Sequence, residues 1–304
     1  MKRFPVLAVL AAVADAPAGE LSLRSLVRPE QTAGQTPAAE PPDKSGYHLF
    51  NPTPRELMRE MSTDRPDKTE SAYTVDAGHF QIEADLLSWS RDHDTDDGAD
   101  LRTEAWSLMT SNLKIGLTND IDLQLVVESW NALREDDRVA GRVEHRSGFG
   151  DVTPRLKVNL WGNDGGPTAM AVMPFLKLPT NQNGLGNDSV EGGIILPLAV
   201  ELPRGWGMGA MVEFDVIRDG DDDGYHVEFI QTIAFGRDIV GNLGGYVELY
   251  NNVSGESGAG GVTTLDFGFT FALTPDIQLD AGMNIGLSRA AEDLNPFGGF
   301  SIRF

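Results

Sequence analysis

The sequence contains no cysteine. That omission removes disulfide scaffolds, thiol catalysis, iron–sulfur clusters and cysteine-ligated zinc from consideration. Positive charge is scarce: 24 lysines and arginines stand against 46 aspartates and glutamates, for a formal net charge of −22 at pH 7. A chain this acidic is repelled by nucleic acid and by a bare anionic bilayer, and cations suit it better as partners. The five histidines, His48, His79, His93, His145 and His226, include no pair at metal-ligand spacing. No Gly-x-Ser-x-Gly, Walker A or Gly-x-Gly-x-x-Gly occurs, so nucleotide chemistry has no foothold and no metal or cofactor site is expected. No stretch approaches the roughly 18 to 20 continuous apolar residues of a spanning helix. With 40% apolar and 23% charged residues in 304 positions, the composition is nevertheless that of a folded protein.

Lys2 and Arg3 precede an apolar run, Phe4 to Val13, and the small residues Ala14, Ala16 and Ala18. This is the layout of an export signal ending near residue 18. Residues 19–46 are rich in Pro and Ala and lack periodicity, which marks a linker. Residues 47–72 contain a short expected helix over 55–61. They form a segment that either sits in the periplasm or folds as a plug into the C-terminal region.

From residue 73 to the end the texture is alternation. Leu265, Phe267, Phe269, Phe271 and Leu273 lie on one face of a strand, with Asp266, Gly268, Thr270 and Ala272 on the other. Ile277 to Leu287 repeats the pattern, and about twelve such runs fit into residues 73–304. Short turns at 118–120, 163–166, 203–205, 236–238 and 274–276 alternate with long acidic or glycine-rich connections at 91–100, 135–148, 180–189, 218–224, 251–261 and 288–296. Short turns on one side and long loops on the other are the plan of a barrel in the bacterial outer membrane. The expected fold is therefore all-β: a closed antiparallel transmembrane barrel of about 12 strands. Trp161 and Trp206 sit by short turns and Trp106 and Trp130 toward the long loops, as interfacial girdles require.

The chain ends on Gly-Gly-Phe-Ser-Ile-Arg-Phe. In hydrocarbon a sheet can span only by closing its first strand onto its last, so Phe300, Ile302 and Phe304 are expected to face lipid from a closing strand. This end resembles the insertion signal that the barrel assembly machinery reads on outer-membrane barrels.

A second resemblance is carried by Asn51-Pro-Thr-Pro-Arg-Glu-Leu, by Ser62-Thr-Asp-Arg-Pro-Asp-Lys-Thr-Glu-Ser71, by Tyr73-Thr-Val-Asp-Ala-Gly-His-Phe-Gln-Ile-Glu83 and by Gly148-Phe-Gly-Asp-Val152. These stretches resemble the MetA-pathway of phenol degradation family, with Ala72 standing where that family's pattern has proline. The resemblance implies an outer-membrane barrel that passes small solutes, aromatic or other hydrophobic compounds among them. It brings no catalytic residues.

With the apolar rows outward, strand parity directs Glu83 and Asp85 inward with His79 and Gln81, then Lys114, Asp122, Glu128, Arg155, Lys157 and Lys177. Glu213, Asp215, Glu228, Glu248, Asp266, Asp280 and Arg303 complete the inward set. Lys114, Arg155, Lys157 and Lys177 fall on neighbouring strands, so opposite walls are expected to carry opposite charge. Long charged side chains across a narrow barrel either fill it as a salt-bridged plug or leave a constricted path for small solutes.

Asp219, Asp221 and Asp223 open like a calcium loop, but Ile230 stands where the bidentate glutamate belongs. With Asp92, Asp94, Asp96, Asp97 and Asp100 they would at most bridge weak divalent cations to lipopolysaccharide phosphates. The expected function is an outer-membrane channel for passive passage of small solutes. The alternatives are a lipase-like barrel enzyme with a Ser-His pair drawn from separate strands, and a secreted soluble β-rich binding protein.

Overall fold

The computed structural model describes residues 42–95, 98–219, 224–256 and 258–304. The export signal expected at 1–18, and residues 19–41 of the linker expected at 19–46, lie outside the described residues. Lys44, at the end of that linker, is packed against the barrel and pairs with Asp76 and Asp164.

The strands are β1 (Phe80–Asp94), β2 (Leu101–Gly116), β3 (Ile121–Asp137), β4 (Arg142–Gly148), β5 (Val152–Trp161), β6 (Thr168–Lys177) and β7 (Glu191–Leu202), followed by β8 (Trp206–Arg218), β9 (Tyr225–Val240), β10 (Leu243–Ser254), β11 (Val262–Thr274), β12 (Ile277–Gly286) and β13 (Leu294–Arg303). Each pairs antiparallel with its sequence neighbours around the ring, apart from β4 and β5, which lie end to end beside β3. The wall therefore has twelve positions. The break between β4 and β5 falls at Phe149-Gly150-Asp151. A Cβ on Gly150 would run into the Glu128 and Asn131 side chains.

Closure is made by β1 on β13, with Gln81 opposite Arg303, Ile82 opposite Ile302 and Glu83 opposite Ser301. The last residue completes it: Phe304 N–H donates to Phe80 O at 2.8 Å. The final strand is aromatic because it is a wall strand, with Ser301 and Arg303 buried inside and Phe304 exposed outside.

The burial pattern is inverted relative to a protein that folds in water. Phe267, Phe269, Phe271 and Leu273 of β11 are exposed while Asp266 and Thr270 between them are buried. Among the described residues no leucine, phenylalanine or tryptophan is buried. Water would not tolerate an apolar surface of this extent, which belongs against lipid tails. The soluble binding-protein alternative fails on this point. Trp89 and Trp106 pack together at 5.8 Å between ring centroids.

Three local expectations are corrected. The helix expected over 55–61 is a single 3₁₀ turn, Arg55–Leu57. Beyond it the Arg59 N–H bonds the Asp76 carboxylate at 3.1 Å, and this tertiary bond replaces the helical one. The long loop expected at 135–148 is instead a projecting hairpin, with β3 and β4 paired from Asn131 opposite Gly148 to Asp137 opposite Arg142. The turn expected at 236–238 lies at Gly241 and Asn242, where Gly241 takes a φ of 58°. Strand β1 carries a bulge between Asp85 and Leu87, so Leu86 and Leu87 both face outward and parity flips beyond them.

Candidate functional site: an inner segment and the chamber beside it

Residues 59–75 pass through the barrel and bond alternately to opposite walls. Asp64 reaches the basic side, where it lies 2.6 Å from Lys157 Nζ and also bonds Lys114. Its neighbour Arg65 reaches the acidic side, 2.6 Å from Asp280 and 2.6 Å from Asp85. Lys68 joins it there, 3.1 Å from Asp266, while Glu70 returns to Arg155 at 2.5 Å. Asp64 and Glu70 thus meet bases on β2 and β5, while Arg65 and Lys68 meet acids on β1, β11 and β12.

Hydrogen bonds made by uncharged groups of the segment fill the gaps between these ion pairs. Glu248 accepts from the Lys68 N–H at 2.8 Å and from the Thr69 hydroxyl at 2.6 Å. Gln81 donates to Ser62 O at 2.7 Å, and Asn159 donates to Ala72 O at 2.8 Å. Asp122 accepts from the Val75 N–H at 3.0 Å. Buried backbone groups need such partners, and here wall side chains supply them in place of a sheet.

At the short-turn end the segment is fastened by arginines. Arg59 bonds Asn119 at 2.9 Å and Asp164 at 3.2 Å. Arg303 bonds Asp276 at 2.8 Å and donates to Arg59 O at 2.8 Å, and Arg55 also meets Asp276. Burial pushes the Asp164 and Asp276 carboxyls up, but their hydrogen bonds and cationic neighbours outweigh it. Lys44, Arg59 and Asn119 hold Asp164 below its ordinary value, and Arg303 and Arg55 do the same for Asp276.

The residues expected inside from strand parity fall into three groups. Glu83, Asp85, Lys114, Asp122, Arg155, Lys157, Glu248, Asp266, Asp280 and Arg303 all contact the inner segment or the turns that fasten it. Glu213, Asp215 and Glu228 stand apart on β8 and β9, where Glu228 accepts from Asn252 at 2.7 Å. Lys177 and Glu128 lie toward the long loops. Lys177 is 3.9 Å from Asp151 and so does not join the other three bases, and Glu128 accepts from Asn131 at 2.9 Å.

Parity missed Asp64, Arg65, Lys68 and Glu70, whose only signal is the charge order of Asp-Arg-Pro-Asp-Lys-Thr-Glu. It also missed Asp151, which lies in the wall break and accepts from the Thr180 and Asn187 backbone at 3.0 Å and 2.6 Å, tying down the β6–β7 loop. Burial raises that carboxyl, yet the Asn181 and Asn187 bonds leave it below its ordinary value. Of the outer-loop acids, Asp96, Asp97, Asp221 and Asp223 lie outside the described residues. Asp100 is engaged by His93 at 2.8 Å and Asp219 by His226 at 2.7 Å.

The inner segment leaves one arc of wall mostly uncovered. Met173, Ile195, Met211 and Ile230, from β6 to β9, form a buried apolar cluster with Phe175 and Tyr250 against it. A cavity of about 580 Å³ opens in front, bounded by Ile195, Met211, Ile230 and Tyr250 on one side and by Lys68, Glu70 and Arg155 on the other. A polar cavity of about 270 Å³ adjoins it, with Ser88, Thr110, Ser111 and Asn112 on its wall.

The fold is similar to that of an outer membrane channel from Pseudomonas putida F1, with 15% identity and a TM-score of 0.51 over 74% of this chain and 93% of that one. The β domain of the Bordetella autotransporter BrkA is also similar, with 15% identity and a TM-score of 0.47 over 74% of this chain and 98% of that one. A deletion mutant of the TodX monoaromatic hydrocarbon channel gives 10% identity and a TM-score of 0.45 over 74% and 90%. Comparison with curated proteins yields no match. The family model described as "Putative MetA-pathway of phenol degradation" matches residues 63–304, four-fifths of the sequence and nearly all of the inner segment and barrel, and the chain belongs to that family.

Proposed function

We propose that this protein is an outer-membrane channel for the passive passage of small, largely apolar molecules, aromatic compounds among them, with residues 59–75 as its plug. The chamber carries the proposal. A lumen lined largely by charged and polar side chains turns apolar at Ile195, Met211, Ile230 and Tyr250, directly beside the inner segment. Such a surface lets an apolar solute leave water at a point where the path is narrow. Membership of a family whose description names phenol degradation supports aromatic cargo.

Lipid hydrolysis needs a histidine bonded to a serine. His48 and His79 instead bond backbone groups, and His93 and His226 bond carboxylates, which favours passage over hydrolysis. The same reading makes Phe300, Ile302 and Phe304 the signal for the barrel assembly machinery, and the outer loops the place where divalent cations bridge to lipopolysaccharide.

The test is uptake of a labelled monoaromatic compound by cells with intact lipopolysaccharide, with and without the protein. Faster uptake with the protein is expected, and faster still with Arg65→Ala/Lys68→Ala, which cuts two ties of the segment to the acidic wall. Equal uptake in all three would overturn the channel reading.

A further inference from the structure

We propose that the chamber is a binding site for a small molecule that joins one apolar ring to a protonated amine, and that Glu213 is the residue that selects the amine. The inference rests on the channel reading only in taking the chamber to be reachable by solutes.

Register places Glu213 within the apolar arc. Across the wall Met173 lies opposite Ile195, Ile195 opposite Glu213, and Glu213 opposite Ile230, so one carboxylate interrupts an otherwise apolar cross-strand row. Met211, two residues along the same strand and on the same face, belongs to the cluster and lines the cavity with it. A ring lying on Ile195, Met211 and Ile230 therefore has a carboxylate at its edge. Tyr250 completes that side and already holds a cation, with Lys68 Nζ 4.4 Å from its ring centroid.

The charges around the cavity decide the sign of the ligand. Glu70, Glu213 and Glu292 line it with Lys68 and Arg155, three acids to two bases. Both bases are engaged, Lys68 by Asp266 at 3.1 Å and Arg155 by Glu70 at 2.5 Å. Glu292 is engaged too, accepting from Ser90 at 2.6 Å. Glu213 has another acid, Asp215, as its hydrogen-bond neighbour. Asp215 is buried, and its Oδ1 has no hydrogen-bond partner. An anion entering here would meet bases that carboxylates already hold and would sit among Glu70, Glu213 and Glu292. An ammonium group meets an acid pair that has no cation at salt-bridge distance among the described residues. The volume, about 580 Å³, lies within the range of small-molecule sites.

The experiment compares three molecules of one shape, 2-phenylethylamine, 2-phenylethanol and phenylacetate, by calorimetry on the full chain in detergent micelles. The amine is expected to bind about tenfold more tightly than the alcohol, and phenylacetate more weakly than either. Glu213→Gln should bring the amine down to the alcohol and leave the alcohol unchanged, while Ile230→Asn should weaken both. Heat-modifiable gel mobility reports that each variant is a folded barrel. Phenylacetate binding as tightly as the amine, an unchanged amine affinity in Glu213→Gln, or no binding of any of the three would overturn the proposal. Because binding is read without transport, uptake of aromatics with no amine preference would sink this inference and leave the channel standing.

Discussion

Asp64 and Arg65 are consecutive in the chain, yet their side chains bond opposite walls of the barrel, Asp64 to Lys157 and Arg65 to Asp280, each at 2.6 Å. A segment pinned in this way cannot slide toward one wall without breaking a buried ion pair on the other. Removing one partner of such a pair leaves an uncompensated buried charge, at a cost of about 3–5 kcal/mol. Asp64→Asn leaves Lys114 and Lys157 short of their shared carboxylate and should loosen the inner segment. Larger and noisier single-channel conductance than the parent is expected in planar bilayers, together with faster tryptic cleavage after Lys68. Indistinguishable traces would mean that the Asp64 ion pairs do not hold the segment in place.

Phe304 closes the ring through its backbone, donating to Phe80 O at 2.8 Å, while its side chain stays exposed to lipid. Deleting the residue removes the last two backbone bonds of the β1–β13 seam, which Phe304 and Phe80 exchange, and the outer aromatic. Phe304→Ala keeps both bonds and removes only the ring. Outer-membrane yield should fall several-fold in both if the ring is the recognised feature, and in the deletion alone if the seam matters more. Heat-modifiable mobility of the membrane fraction distinguishes the two.

The barrel was legible because lipid on one face and a polar interior on the other impose a two-residue period on nearly every strand, as at Phe267, Phe269 and Phe271 against Asp266 and Thr270. The wall partners of the inner segment, Glu83, Lys114 and Asp280 among them, lie on strands and follow the same period. The segment itself was not legible as a contact surface, since Asp64, Arg65, Lys68 and Glu70 obey no period and find their partners on walls far away in sequence. Nor could the setting of Glu213 be read from the chain, because its neighbours Ile195 and Ile230 are brought beside it by register between strands. The flip in parity at Leu86 and Leu87 is likewise a matter of pairing.

Lys114, Arg155 and Lys157 are the bases that hold Asp64 and Glu70. Replacing all three with methionine keeps much of the side-chain bulk and strands those carboxylates, together with Glu83, in the lumen. The reversal potential in a salt gradient should shift toward cation selectivity, with the largest shift at low ionic strength, where screening is weakest. An unchanged reversal potential would show that ions do not pass along this wall.

Acid should release the segment at its fastened end first. Asp164 and Asp276 carry carboxyls held below their ordinary values by Lys44 and Arg59 and by Arg303 and Arg55 respectively. A depressed folded-state value contributes stability that is fully present above the unfolded carboxylate range, near pH 4, and is lost as pH falls through the folded value. The melting temperature of the micelle-bound protein should therefore hold steady from pH 7 to about pH 5 and decline below about pH 4. In Asp164→Asn/Asp276→Asn it should start lower and decline less, because the groups that must be protonated are already neutral. Parallel curves for parent and variant would place the acid-sensitive groups elsewhere, among the carboxylates that face the inner segment from the wall.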